Sequence, residues 1–378
     1  MKKHYDWLIV GAGFTGAILA ERLSSQMGKR CLVIDSRDHI AGNAFDTRNE
    51  AGILFHQYGP HIFHTNAPSV VEYLSNFTTW RPYEHRVVGF VDNRLIPIPF
   101  NLTSLEILFP KMEADRLKGL LIGAYGMEQK VPILKMRQSS IQGIRDLASF
   151  IYDKVFYGYT TKQWGLEPEE LSPSVTARVP VHISYDDRYF QDRFQEMPAE
   201  GYTKMFERIL LNREGVDVSL GTSFLDIGGQ VSYDNMIFSG AIDEFFSYSL
   251  GELPYRSLRF DFQTYQQHRH QPAGQVNYPV SEDFTRISEM NYLTGEFSNC
   301  TTVAVEYPQS HVPGSTVPYY PIPRDQNQEL HNRYVALAAK EAKNITFCGR
   351  LGDYKYYNMD QAVARALSVF QQIAANPT

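Results

Sequence analysis

Leu8-Ile9-Val10-Gly11-Ala12-Gly13-Phe14-Thr15-Gly16, followed by AILAERLSS over residues 17–25, reads as an apolar strand, a glycine-rich turn and a helix. Cys31-Leu32-Val33-Ile34 makes a second apolar strand, ending in Asp35. This is a dinucleotide-binding fingerprint in its full context. Gly11 permits the tight turn, Gly13 lets the backbone approach a pyrophosphate, and Gly16 lets helix and strand pack closely. The helix N-terminus offers free N–H groups and a positive dipole end to phosphate. Asp35 lies 19 residues after Gly16, where a carboxylate can accept hydrogen bonds from a ribose. A GxGxxG alone is weak evidence; here strand, helix, second strand and acid agree. The pattern implies an adenine dinucleotide without saying which one.

The 378 residues suggest two or three domains. With 43% hydrophobic and 21% charged residues the composition is that of a soluble globular protein. A net charge of −6 leaves no basic footprint, so no nucleic-acid partner is expected. No apolar run approaches the ~18 residues of a membrane span. The opening MKKHYDWLIV breaks at Gly11 and reads as a first strand rather than a signal peptide. The cysteines Cys31, Cys300 and Cys348 are odd in number and lack CxxC spacing. Cys31 and Cys348 lie in or beside apolar strands and are expected to be buried. That usage suits a reducing, cytoplasmic location.

RVVGFVDNRLIPIPFN predicts a hairpin turning at Asp92-Asn93. Residues 102 to 156 read as mostly helical, and SIQGIRDLASFIYDKVF places Ile141, Ile144, Leu147, Ile151 and Val155 on one stripe. Short strands and aromatic-rich loops follow, with a helix near GYTKMFERILL. The end returns to α/β logic: residues 344–348 form a strand leading into Gly349-Arg350. MDQAVARALSVFQQIAA is then a helix with Val363, Ala366, Leu367, Phe370 and Ile373 facing inward. Strand–glycine–helix units at both termini predict one discontinuous domain. That arrangement is commoner in flavoproteins of the glutathione-reductase-like type than in NAD dehydrogenases, which favours FAD by analogy.

Hydrolase signatures are absent: there is no GxSxG and no HExxH. His56, His61 and His64 fall within nine residues, but no cysteine or acid lies close by to complete a metal site. Packing against a ring-shaped ligand or into the core is the better expectation, and no metal is assigned. Glu169-Glu170 and Asp186-Asp187 read as solvated charges. Arginine recurs with tyrosine in loops, at Arg178, Arg188-Tyr189, Arg286, Tyr319-Tyr320, Arg350, Tyr354 and Tyr356-Tyr357. Arginine matches phosphate oxygens bidentately and tyrosine adds a rigid O–H donor, so a diphosphate ligand distinct from the cofactor is expected. GYTTKQWG adds Tyr159 and Trp164, which can stack on a base or a sugar.

Together, GAGFTGA, GNAF, QYGPHIFHTN, PIPFN, GYTTKQWG, TARVP, DDRYF, EGYTKM, PYRSL, FTRISE, PYYPIP and GRLGDYKYYNMDQ resemble the bacterial UDP-galactopyranose mutases. They run from residue 9 to beyond residue 360, with the poorest match between about residues 102 and 150. The resemblance implies a homodimeric FAD isomerase interconverting UDP-galactopyranose and UDP-galactofuranose with no net redox. The flavin must be reduced, by a cellular reductant such as NAD(P)H. Its N5 attacks the anomeric carbon, displaces UDP and holds the sugar as an iminium until the ring recloses. Such a mechanism explains the missing protein triad.

The resemblance also assigns residues. Arg178 and Arg286 match the pair that clamps the UDP diphosphate; His64 and Arg350 are placed with them as catalytic. Tyr159 matches the uracil platform and Trp164 the residue beside the sugar. Tyr189, Tyr320 and Tyr356 match phosphate-binding tyrosines, and Asn101 and Phe156 fall on the substrate side. The cofactor would be held by Gly11, Gly13, Phe14, Thr15, Gly16, Asp35, Ser36, Gly42, Asn43, His61, Ile62, Gly349, Arg350, Tyr356, Asn358, Met359 and Asp360. The implied fold is α/β: a Rossmann-like, glutathione-reductase-like FAD-binding domain (1–84, 200–243, 330–378), an inserted helical domain (100–158) carrying dimer contacts, and an antiparallel-sheet substrate domain (85–99, 159–199, 244–329). Ala41 replaces the first glycine of the family's GGNA turn, which alanine tolerates if φ is negative. Two alternatives stay open. One is a mutase of another UDP-sugar such as UDP-N-acetylgalactopyranose; the other is an FAD-dependent amine-oxidase-like oxidoreductase, which predicts an apolar channel in place of the Arg/Tyr set.

Overall fold

The computed structural model describes residues 2–170, 180–227 and 229–376. A five-stranded parallel sheet runs in the order Val216–Ser219, Cys31–Ile34, Lys3–Val10, Val231–Phe238, Ile345–Phe347. Its strands therefore come from the beginning, middle and end of the chain. Leu8, Ile9, Val33 and Ile34 are wholly buried because this sheet is covered on both faces. The helix Phe14–Met27 packs against the last helix, Met359–Ala375. A Cβ on Gly16 would fall 1.9 Å from the Gly11 carbonyl oxygen, so glycine there lets helix and strand touch. Cys31 and Cys348 are fully buried, and burial pushes each thiol up to about 12. Both are packing groups in this fold.

A seven-stranded mixed sheet forms the second layer: Tyr320–Pro321, Tyr255–Tyr265, Thr301–Ser310, Arg286–Glu289, Gln275–Asn277, Val87–Val91, Arg94–Ile98. The last two strands make the expected hairpin, with Asp92 and Asn93 at φ 45° and 60°. Two successive left-handed residues are what a two-residue hairpin turn needs to follow the strand twist.

The third layer is helical and has its own core of Leu105, Leu117, Leu121, Met136 and Leu147. The helix Gln142–Ile151 continues through a π-helical stretch, Tyr152–Tyr157, into Gly158–Trp164. Ile144, Leu147 and Ile151 are buried as their spacing predicts, and Val155 is half-buried. Ile141 departs from the stripe: it sits at the N-cap, before the helical period begins, and is 37% exposed. No helix among the described residues is long and apolar enough to cross a membrane.

Ala41 also departs from expectation. Its φ is +73° and ψ −3°, the left-handed region, so the turn bears an alanine where glycine fits without strain.

Candidate active site

The glycine turn opens onto a cavity of about 800 Å³. Gly11, Gly13, Phe14 and Thr15 line one wall, Asp35 and Ser36 a second, Gly42 and Asn43 a third. Gly13 caps the helix Phe14–Met27 with no side chain over its end, which leaves N–H groups free for an anion. Asp35 does more than wait for a ribose. Its Oδ2 accepts from Ala12 N–H at 2.8 Å and its Oδ1 from Arg37 N–H at 3.0 Å, so it braces the turn. Each oxygen retains a lone pair for a ligand hydroxyl. Arg37 lies over the Tyr58 ring at 4.3 Å and donates Nη2 to Asn43 Oδ1 at 2.9 Å, leaving Nη1 buried without an acceptor. Free helix N–H groups, an orphaned guanidinium donor and a glycine-lined wall fit the adenosine-diphosphate half of a dinucleotide.

A second cavity of about 460 Å³ lies between the seven-stranded sheet and the helical layer. His61, Arg350 and Met359 line both cavities, so the two adjoin. The stretch Tyr152–Tyr157 and the helix after it present Phe156, Tyr159 and Trp164 to this space. Tyr320 and Tyr356 stack at 4.8 Å, and Trp164 lies 6.3 and 6.0 Å from them. Arg350 sits 5.5 and 5.9 Å from the same two rings, held by the Tyr357 and Tyr319 carbonyls. Across the cavity, Arg286 places Nη2 2.7 Å from Glu306 Oε2. Burial pushes the Tyr159 and Tyr320 hydroxyls up, so both remain O–H donors at neutral pH. His64 stacks on Phe190 at 3.5 Å, and its Nδ1 lies 2.8 Å from Asp192 Oδ2. Ile62, Tyr189 and Asn358 complete the predicted residues that line this space.

Several predicted residues lie off the two cavities' walls. Asn101 lines neither cavity. It is fully buried, and its Oδ1 accepts from Ser104 N–H at 3.0 Å to cap the helix Leu102–Leu108. Gly16 and Gly349 serve close approach rather than lining; a Cβ on Gly349 would fall 2.8 Å from Thr15 Oγ1. Asp360 accepts from Thr65 Oγ1 at 2.9 Å and from Gln361 N–H, outside both cavities. Arg188 pairs with Asp186 at 2.7 Å and with Glu84, so of the Arg188-Tyr189 couple only the tyrosine faces the site. Asp187 is likewise paired, with Arg86 at 3.0 Å. Arg178 lies outside the described residues.

Residue patterns alone did not single out Glu306, His85, Gln275 or Asn277, all of which line the smaller cavity. Glu306 is 1% exposed and takes a second hydrogen bond from Thr285 Oγ1. A signal existed: a lone acid within the apolar strand TTVAVEYP marks either a buried pair or a site. His85 is pulled down to about 3 by burial, with the Arg286 charge adding to it.

The UDP-galactopyranose mutase family model matches residues 154–356, over half of the chain, and an NAD(P)-binding Rossmann-like domain matches residues 9–77. The chain belongs to the UDP-galactopyranose mutase family. Among its relatives is a probable UDP-galactopyranose mutase of Klebsiella pneumoniae, 37% identical over 98% of this chain and 94% of the relative. A dTDP-fucopyranose mutase of Escherichia coli is 33% identical over 98% of both. A crystal structure of reduced UDP-galactopyranose mutase superposes with a TM-score of 0.74, at 16% identity, over 100% of this chain and 96% of that one. The superposition shows a shared fold. In this chain the matched Rossmann-like unit lies beside the aromatic and arginine-lined cavity described above.

Proposed function

We propose that this chain interconverts UDP-galactopyranose and UDP-galactofuranose without net redox, on reduced FAD. The observation that carries the reading is the joined pair of cavities, with the glycine turn at one end and Arg286, Arg350 and their tyrosines at the other. Gly11, Gly13, Phe14, Thr15, Asp35, Ser36, Gly42 and Asn43 would hold the adenosine diphosphate half of FAD. His61, Ile62, Arg350, Tyr356, Asn358 and Met359 would surround its flavin ring. The reduced flavin, when bound, supplies the nucleophile for the anomeric carbon.

The chain's own residues then bind and orient. Tyr159 stacks on the uracil, with Phe156 beside it. Arg286 and the O–H donors of Tyr189, Tyr320 and Tyr356 hold the diphosphate, joined by Arg178. Their positive and donor character favours departure of UDP. Trp164 and His64 flank the sugar. An apolar amine channel would not bring two arginines and several tyrosines together, which argues against the oxidase alternative. A cytoplasmic homodimer reduced by a nicotinamide donor completes the reading.

The test is an assay of the purified, dithionite-reduced protein with UDP-galactofuranose, the products separated by chromatography. UDP-galactopyranose is expected from reduced enzyme only. No product would sink the activity, and equal rates from oxidised enzyme would sink the role of the flavin. The Escherichia coli relative favours dTDP-fucofuranose as a second substrate in the same assay, alongside the UDP-N-acetyl sugar. A higher kcat/KM on either would reassign the sugar nucleotide.

A further inference from the structure

Lys162 stands in the motif GYTTKQWG between Tyr159 and Trp164, where a lysine invites assignment to a phosphate. The structure uses it otherwise. Its Nζ donates to three main-chain carbonyls, those of Tyr278, Glu282 and Phe284, at 2.5, 2.8 and 3.1 Å. An ammonium has three donors, and all three are taken.

These acceptors belong to one loop, residues 278–285, which joins the strands Gln275–Asn277 and Arg286–Glu289. The loop begins after Asn277 and ends before Arg286, two cavity-lining residues that pair across the hairpin. A second contact ties the same loop to the same helix. A Cβ on Gly158 would fall 2.5 Å from the Pro279 carbonyl oxygen, so glycine lets the main chains touch. The helix is held from its other end by Arg256, whose Nε donates to the Gln163 carbonyl at 3.0 Å.

We propose that Lys162 is a positioning residue that sets the span between the Tyr159 ring on its own helix and the Arg286 guanidinium at the end of the loop it grips. Both residues line the same cavity, and on the function proposed above a nucleoside diphosphate would reach from one to the other, base on the tyrosine and phosphates on the arginine. The proposal rests on the function proposed above. It distinguishes a residue that fixes the distance between two subsites from one that merely stabilises either.

Lys162→Met removes all three donors while keeping the stem. Dissociation constants for UDP, uridine and pyrophosphate are measured by titration of the FAD-loaded protein. UDP binding should weaken about tenfold or more, a loss of roughly one charged hydrogen bond. Uridine and pyrophosphate, each occupying one subsite, should change by less than about twofold on the same scale. KM for the sugar nucleotide should rise with kcat at saturation nearly unchanged, and Lys162→Arg, which keeps charge and donors, should recover part of the loss. Should Lys162→Met not fold, Gly158→Ala tests the same span by pushing Pro279 away, with the same selective loss of UDP expected. Equal weakening of uridine and UDP would overturn the proposal in favour of ordinary damage to the platform. Undiminished UDP affinity in the variants would overturn it outright. If the unsubstituted protein failed to bind UDP, the function reading would fall and carry this one with it.

Discussion

Arg286 is tethered within the protein, because Glu306 holds its guanidinium from the buried side. The pairing engages Nε and Nη2 and fixes the rotamer; on the function proposed above, the remaining N–H groups would meet phosphate. Arg286→Ala should lower kcat/KM by about 10²–10³, the loss typical of one oxyanion-stabilising donor. It should also reduce stability, since Glu306 would stay buried without its cation. Flavin absorbance of the purified variant should be unchanged; loss of flavin would move Arg286 to the cofactor side. Ala41 gives the opposite kind of prediction. Its positive φ costs about 1–2 kcal/mol, part of which glycine would return as unfolded-chain entropy. Ala41→Gly should therefore raise stability by about 0.5 kcal/mol, read as a higher urea midpoint. A lower midpoint would mean the methyl group makes contacts worth more than the strain. Arg286 was legible as a candidate because arginines recur with tyrosines along the chain, although it opens the strand Arg286–Glu289 rather than sitting in a loop. The conformation of Ala41 was not, because a single residue does not announce the sign of its own φ.

At the scale of elements, periodicity and turn chemistry carried well where local rules decide. Asp92-Asn93 turns the hairpin as its residue types demand. The stripe of Ile144, Leu147 and Ile151 is buried, whereas Ile141 stands exposed because the cap precedes the helical period. Asn101 shows the converse limit. An asparagine after PIPF suits a cap or a site equally well, and only the position of Ser104 decides for the cap. On the function proposed above, cofactor binding depends on the glycine turn, and Gly16 is its tightest contact. Gly16→Ala would drive a methyl group into the Gly11 carbonyl and the Ile9 side chain. Helix and strand must then part, at an overpacking cost of about 1–3 kcal/mol. The turn would open with them, so the purified variant should carry clearly less FAD per chain than the parent. Full flavin occupancy would show that the close approach is dispensable.

Across the whole molecule, the first and last strand–helix units share one sheet, and the middle of the chain supplies the second sheet and the helical layer between which the smaller cavity lies. Which loops meet there depends on long-range packing, so His85, Gln275 and Asn277 carried no local mark in the sequence. Burial of neutral histidine in this assembly has a consequence for the molecule's stability. His56 and His85 are each 2% exposed, and burial holds them down to about 4 and about 3. In the unfolded chain a histidine titrates near 6.5. The folded values are depressed, so below pH 6.5 the unfolded chain binds protons that the native protein refuses. The stabilising contribution is complete above about pH 6.5 and is lost as pH falls toward the folded values. Each histidine adds up to about 1.4 kcal/mol per pH unit to that slope, and the two together about 2.7. Urea midpoints should thus fall steeply between pH 6 and 4.5. His85→Gln, which cannot take up the proton, should flatten the slope by up to about 1.4 kcal/mol per pH unit, while His56 and His61, the latter also held down to about 3 by burial, continue to drive it. An unaltered slope in that variant would assign the acid sensitivity to other groups and remove the buried histidine from the account.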